Sequence, residues 1–247
     1  MKARALVPLK DLVDAKSRLS GLLRPAERRA LAQAMAEDVL STLSQHPGFE
    51  QLILLSDDPG AAMLAQKYGA DHWPESALAC RGLNKVIARS CDLLFQQSAS
   101  PVVVLHADLP CLESADLTAI LQAMDTYGGL IVACDRHAMG TNLLAFTARG
   151  RPEFLFGYDS CAKHCSSALE LGIPHRVVYR PGTSLDVDIP EDIKLFIARV
   201  DRGATGFSAR LLQQPNIGTR IRTQLDSMPA GDETAEQLIA KEHILNG

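Results

Sequence analysis

The sequence lacks any apolar run approaching the roughly 20 residues that a helix needs to cross a bilayer. Hydrophobic residues make up 47% of its 247 positions, yet they are dispersed through an ordinary globular composition. A glycine-rich phosphate loop is also missing. No G-x-x-x-x-G-K-[ST] occurs, and no G-x-G-x-x-G follows an apolar strand. A P-loop ATPase and a dinucleotide-binding dehydrogenase thus lack the residues that cradle their ligands. The six cysteines are scattered without a Cys-x-x-Cys, which argues against a disulfide framework. Positive charge is not in excess. A net charge of −4 argues against nucleic acid or an anionic membrane as partner. The first residues run straight into an apolar strand, without a signal-peptide core or cleavage site, so a cytoplasmic protein is expected.

What is present is an alternation of strand and helix signals. Ala3 to Pro8, Gln51 to Ser56, Val102 to Leu105, Leu130 to Cys134, Leu143 to Phe146, His175 to Tyr179 and Leu185 to Val187 read as short strands. Between them, Leu31, Met35, Val39 and Leu43 recur at helical spacing after Pro25, which suits a first helical position. Further helices are expected after Asp58-Pro59, over Leu83 to Gln97, over Ser114 to Tyr127 and over Cys161 to Leu171. This rhythm predicts an α/β fold with a mostly parallel sheet covered by helices on both faces. After about Arg199 glycines and prolines break the pattern. Residues 1–199 are therefore expected to form the main domain and 200–247 a helical C-terminal extension, including a helix over Glu233 to Leu245.

Three places carry candidate chemistry. The strand Val102 to Leu105 runs into His106-Ala107-Asp108-Leu109-Pro110. Ligands of open α/β sheets bind beyond the carboxyl ends of strands, which is where Asp108 falls; a turn aspartate before proline is the plain alternative. Asp186 and Asp188 lie two residues apart, so in an extended chain they share a side and repel unless a cation neutralises them. A helix-entry turn is the alternative there, because Pro190, Glu191 and Asp192 all suit a helix start. With Asp108 these acids would make an all-oxygen site for Mg²⁺. Lys10, Lys16, Ser17 and Arg18 follow the first strand, where basic residues could hold a triphosphate or simply lie in a solvated loop. Cys161, His164 and Cys165 would share a helix face, but with no obvious fourth ligand nearby they are expected to be packing residues.

Taken together, these segments resemble the guanylyltransferases of coenzyme F420 biosynthesis, the CofC or FbiD family. The matching stretches are VPLKDLVDAKSRLS at 7–20, RPAERRALAQAMAEDVL at 24–40, GLN at 82–84, HADLP at 106–110, GTNLLAF at 140–146, FGYDS at 156–160 with His164, and LDVDIPED at 185–192. The resemblance covers about residues 3–198. It implies a GT-A-like nucleotidyltransferase fold and transfer of GMP from GTP to a three-carbon phosphorylated acid, with release of pyrophosphate. That acid would be phosphoenolpyruvate, 2-phospho-L-lactate or 3-phospho-D-glycerate. It further implies Asp108, Asp186 and Asp188 as Mg²⁺ ligands, and Thr141, Gly157 and Ser160 as the pocket for the acid. Lys10, Lys16 and Arg18 would be triphosphate contacts and Asn84 a nucleoside contact, with Lys16, Arg18 and Asp108 closest to the reaction.

The chain departs from the family pattern twice. Tyr158 and Asp159 stand where the family reads Pro-Gly, and Ile189 replaces a threonine that would cap the following helix. Two other readings stay open. One is a nucleotidyltransferase for molybdopterin or a sugar phosphate, although those carry a glycine-rich loop after the first strand and Leu9 to Leu19 contains no glycine. The other is a catalytically inactive GT-A-like binding subunit. If the chain self-associates, a homodimer is the expected assembly.

Overall fold

The computed structural model describes residues 2–12 and 15–228. Seven strands form one sheet: β1 (Ala3–Pro8), β2 (Phe49–Leu55), β3 (Asp71–Trp73), β4 (Val102–Leu105), β5 (Leu130–Cys134), β6 (Thr141–Phe146) and β7 (His175–Val178). Their order is β3-β2-β1-β4-β6-β5-β7. All neighbours pair in parallel except at β6, which is antiparallel to both β4 and β5. The reason lies in the connection. Only residues 135–140 join β5 to β6, far short of the dozen or so that a parallel crossover needs.

Alternation along the strands sends successive side chains to opposite faces. Ala5, Val7, Val103, Leu105, Ile131 and Ala133 face one core, with α1 (Pro25–Gln45), α2 (Ala61–Lys67) and α4 (Ser114–Tyr127). Leu6, Ile53, Val102, Val104, Leu130 and Val132 face the other, with α3 (Leu83–Gln97) and α5 (Ser160–Glu170). Continuous apolar strands are what a sheet covered on both sides requires. Among the described residues no helix is long and apolar enough to cross a membrane.

Two local expectations need correction. Residues 185–187 are not a strand. They form an extended segment between the four-residue helix α6 (Pro181–Ser184) and α7 (Pro190–Asp201), tied to the neighbouring turn by Val187 N–H donating to the Asp108 carbonyl at 3.3 Å. That single bond, with no strand pairing beside it, does not make a ladder. Conversely, β3 is a true edge strand, although Asp71 and His72 gave it no apolar signature.

The chain beyond Arg199 continues into α8 (Phe207–Gln213) and α9 (Pro215–Ser227). Leu212, Ile217 and Ile221 join Leu31 and Met35 of α1 and Phe196 of α7 in a third apolar cluster. Asp38 of α1 also accepts hydrogen bonds from the Phe207 and Ser208 main chain at 2.6 and 3.1 Å and from the Ser208 hydroxyl, fastening the start of α8. The helix expected over 233–245 lies outside the described residues. Truncation after Arg199 should therefore leave Asp38 buried without its donors and strip the apolar face of α1. At about 1.5–3 kcal/mol per large buried side chain, the shortened protein should aggregate or melt many degrees lower by calorimetry. A soluble product with unchanged melting temperature would show that this cluster contributes little.

Candidate active site

The carboxyl ends of β1 and β4 open onto a cleft of about 580 Å³ whose walls include Lys10, Lys16, Arg18, His106, Asp108 and Asp188. Local geometry explains how the basic loop reaches it. Leu9 N–H donates to the Leu55 carbonyl at 2.9 Å, and the buried Asp58 accepts from Leu12 N–H at 2.9 Å and Gly60 N–H at 2.7 Å. Asp58, read from sequence as a helix cap, thus also anchors the loop after β1. Lys16 then adopts a left-handed backbone, φ 56°, unusual for a residue with a Cβ. Its side chain turns inward. The ammonium donates to Asp108 Oδ2 at 2.6 Å and Asp188 Oδ1 at 2.7 Å, with only 9% of the side chain exposed. Burial alone would weaken the charge, but the two carboxylates outweigh it and hold the Lys16 pKa above the ordinary lysine value. Lys10 and Arg18 stay exposed at the rim, and among the described residues neither has a carboxylate at ion-pairing distance.

Asp186 stands behind this pair. Asn142 Nδ2 donates to its Oδ1 at 3.1 Å and to the Thr183 carbonyl at 2.9 Å. Burial, then the charge of Asp108, raise the Asp186 carboxyl to about 6. Asp108 moves the other way: burial opposes its ionisation, but Lys16 and then His106 outweigh that and lower it. Asp108 Oδ1 is nevertheless buried without a hydrogen-bond partner. Two carboxylates therefore share one buried ammonium, with Asp186 close enough to both to feel their charge. Among the described residues no three metal-ligating side chains are gathered ready to hold an ion as they stand, and Lys16 fills the space between two of them. The donor set still fits a hard divalent cation, since an unpartnered carboxylate oxygen and a carboxyl driven toward neutrality are both relieved by added positive charge.

Asp188 is held by a device that sequence reading took for helix chemistry alone. Asp192 Oδ2 accepts from the Asp188 and Ile189 main-chain N–H groups at 2.7 and 2.8 Å, while Oδ1 pairs with the buried Arg136. The side-chain cap lost at Ile189 is partly replaced in this way from the third helical position. Arg136, in the β5–β6 loop, carried no sequence signal.

The residues expected to bind the acid do come together, but their hydroxyls face inward. Thr141 N–H donates to Ser160 Oγ at 2.9 Å, and Thr141 Oγ1 meets His164 Nδ1 at 3.0 Å. His164 Nε2 accepts from Leu155 N–H at 2.9 Å. Both ring nitrogens are thus engaged, burial lowers the His164 pKa to about 4, and the ring acts as a brace. Cys161 and Cys165 accordingly remain packing residues on this helix. Gly157 sits at φ 132°, a conformation that needs glycine although a Cβ there would meet open space. Asn84 spends its amide on the same loop, donating to the Phe156 carbonyl at 3.2 Å and accepting from Phe156 N–H at 2.9 Å. A nucleoside contact by that amide would have to exchange these bonds.

This arrangement has counterparts among known proteins. The family model described as "Guanylyl transferase CofC like" matches residues 3–214. The chain belongs to that family. Among its curated relatives, the phosphoenolpyruvate guanylyltransferase of Conexibacter woesei is 35% identical over 221 residues, spanning 87% of this chain and 96% of that protein. The protein of the same name from Chloroflexus aggregans is 33% identical, spanning 78% and 95%. In fold, the chain superimposes on a putative nucleotide-diphospho-sugar transferase from Desulfovibrio desulfuricans G20 with a TM-score of 0.75 at 15% identity, over 91% of this chain and 99% of that one. CMP:2-keto-3-deoxy-manno-octonic acid synthetase, solved with CTP, superimposes with a TM-score of 0.55 at 16% identity, over 82% and 99%. The fold is that of the GT-A-like nucleotidyltransferases, and the family makes the protein an enzyme of guanylyl transfer.

Proposed function

We propose that this guanylyltransferase moves GMP from GTP onto the phosphate of a three-carbon phosphorylated acid, phosphoenolpyruvate first among them, as a step of coenzyme F420 biosynthesis in the cytoplasm. The observation that carries the reading is the convergence of Lys16, Asp108 and Asp188 at the head of a cleft rimmed by Lys10 and Arg18, with Asp186 behind them and within reach of their charge. The relatives' names supply the acceptor.

A phosphate monoester is already anionic near neutral pH, its second pKa being about 6. Its oxygen can attack the α-phosphorus of GTP without a strong base. The α–β bridging bond breaks, and its electrons leave on pyrophosphate. What the protein must do is bring two polyanions together and hold them in line. Asp108, Asp186 and Asp188 would hold Mg²⁺, which when bound neutralises charge on the reacting phosphates. Lys10, Lys16 and Arg18 bind the triphosphate and stabilise charge as pyrophosphate departs. The Gly157 loop and the start of α5 orient the acid.

The test is direct. Purified protein, Mg²⁺ and GTP are incubated with each of the three acids, with pyrophosphate release followed and products weighed by mass spectrometry. Absence of a GMP adduct with all three would overturn the reading.

The buried hydroxyls give a separable prediction. Thr141→Val and Ser160→Ala should raise the KM for the acid and leave that for GTP nearly unchanged, because these residues shape the loop that receives the acid. Thr141→Val also leaves His164 Nδ1 without its partner, at a stability cost of about 1–3 kcal/mol. A rise in the GTP KM alone would place these residues against the nucleotide.

A further inference from the structure

The wall of the cleft contains one polar atom that the reading above leaves unused. The Nε2 of His106 is shielded from solvent and has no hydrogen-bond partner among the described residues. Buried ring nitrogens are almost always satisfied in native structures, so an orphan lining a cleft marks where a ligand atom completes the site.

His106 is firmly placed. Its main-chain N–H donates to the Asn142 carbonyl at 3.0 Å, next to the Thr141 that braces the acid-side loop. Its ring lies 5.3 Å from that of Phe156, which in turn meets His164 edge-on at 5.0 Å. Phe156 immediately precedes Gly157. Two residues along the chain in the other direction is Asp108. His106 therefore stands at the seam between the carboxylate cluster and the acid-side loop, whereas Lys10 and Arg18 serve the rim. The imidazole lines the same cleft as Asp108, and no described protein group meets its Nε2, which donates in the tautomer that carries its proton there.

We propose that His106 contacts substrate, its Nε2–H donating to an anionic oxygen of the acceptor acid, and that it helps to select a small carboxylated phosphoester over larger phosphates. This rests on the guanylyl-transfer reading above. It adds a side-chain ring nitrogen to a site whose other groups on the acid side are the Gly157 loop and inward-facing hydroxyls.

Two measurements on the full-length protein test it. First, steady-state kinetics of His106→Phe, with His106→Gln as the variant that keeps a donor near the same reach. Loss of a hydrogen bond to a charged group should raise the phosphoenolpyruvate KM roughly ten- to a hundred-fold in His106→Phe, with the GTP KM within about twofold, and His106→Gln should recover part of the loss. Second, the wild-type protein labelled with ¹⁵N-histidine is titrated with phosphoenolpyruvate in the presence of Mg²⁺ and an unreactive GTP analogue. The His106 Nε2 resonance should shift with the acid and not with the nucleotide alone. A response to nucleotide only, or a His106→Phe variant with both KM values unchanged, overturns the proposal. Should the wild type transfer GMP to none of the acids, the guanylyl-transfer reading fails, while the Nε2 titration still reports whether His106 meets the acid.

Discussion

Asp108→Asn, Asp186→Asn and Asp188→Asn should each lower turnover by roughly two to four orders of magnitude, as loss of a charge that organises a metal and two phosphates does. Their effects on the metal-free protein should differ. Asp108 and Asp188 each accept from Lys16, so amides there remove half of a buried ion-pair network. Asp186 has only Asn142 as a described side-chain partner, and its carboxyl is raised from 3.8 to about 6, first by burial and then by Asp108. Folding therefore favours its neutral form. That contribution is complete below the unfolded value of 3.8 and is lost as pH rises through about 6. With about 1.4 kcal/mol per pKa unit, the metal-free wild type should lose up to about 3 kcal/mol from this group across that window. Asp186→Asn should not show the loss, and Mg²⁺ should abolish it in the wild type. Melting temperature against pH in chelator reads the difference. Identical profiles for wild type and Asp186→Asn would mean that Asp186 is as well solvated as an ordinary surface acid, and near-normal turnover in any variant would remove that residue from the catalytic cluster.

Lys16→Gln should separate two roles of one side chain. Among the described residues Lys16 is the cation that bridges Asp108 and Asp188, and the reaction needs positive charge on the departing pyrophosphate. Turnover should therefore fall roughly a hundred- to a thousand-fold. Metal binding without nucleotide should change in the opposite sense. In the wild type a divalent ion must displace an ammonium held at 2.6 and 2.7 Å; in Lys16→Gln that competitor is gone and the two carboxylates repel. Mn²⁺, followed by electron paramagnetic resonance, should bind the variant more tightly while catalysis is nearly lost. Lys16 is buried but its carboxylates are partly exposed, so losing the pair costs less than breaking a fully buried one, and the metal-free variant should melt modestly lower and recover when Mn²⁺ is added. Weaker Mn²⁺ binding in the variant would show that Lys16 helps to build the metal site and does not stand in its place.

Much of this could be read without coordinates. The apolar, β-branched run Val102 to Leu105 stated that a central strand ends just before the turn that carries Asp108, because only a doubly covered sheet tolerates apolar residues on both faces. The spacing of Asp186 and Asp188 suggested two charges on one side of an extended chain or a helix-entry turn, and α7 does open at Pro190. Pro25 and the periodic leucines stated where α1 begins. These signals are local: each depends on backbone periodicity or on the preferences of a few adjacent residues. The family blocks then placed the separate acids and lysines in one site.

What the chain could not state by itself was partnership across distance. Lys16 meets Asp108 and Asp188 across 92 and 172 residues, and nothing in any of those segments says that the lysine would fill the space between the acids. Arg136 has no motif of its own and matters only because β6 turns back beside β4, bringing the loop before it against Asp192. The resemblance implied Thr141 and Ser160 in the acid pocket, and only packing shows both buried, with the Thr141 hydroxyl on His164 and the Ser160 hydroxyl on the Thr141 main chain. His106 was only the first residue after a strand; the packed structure alone shows its Nε2 buried and unpartnered among the described residues. Burial and hydrogen-bond satisfaction belong to the assembled surface and not to any segment of the chain, which is why periodicity could place the site's acids and only tertiary structure could decide what each of them faces.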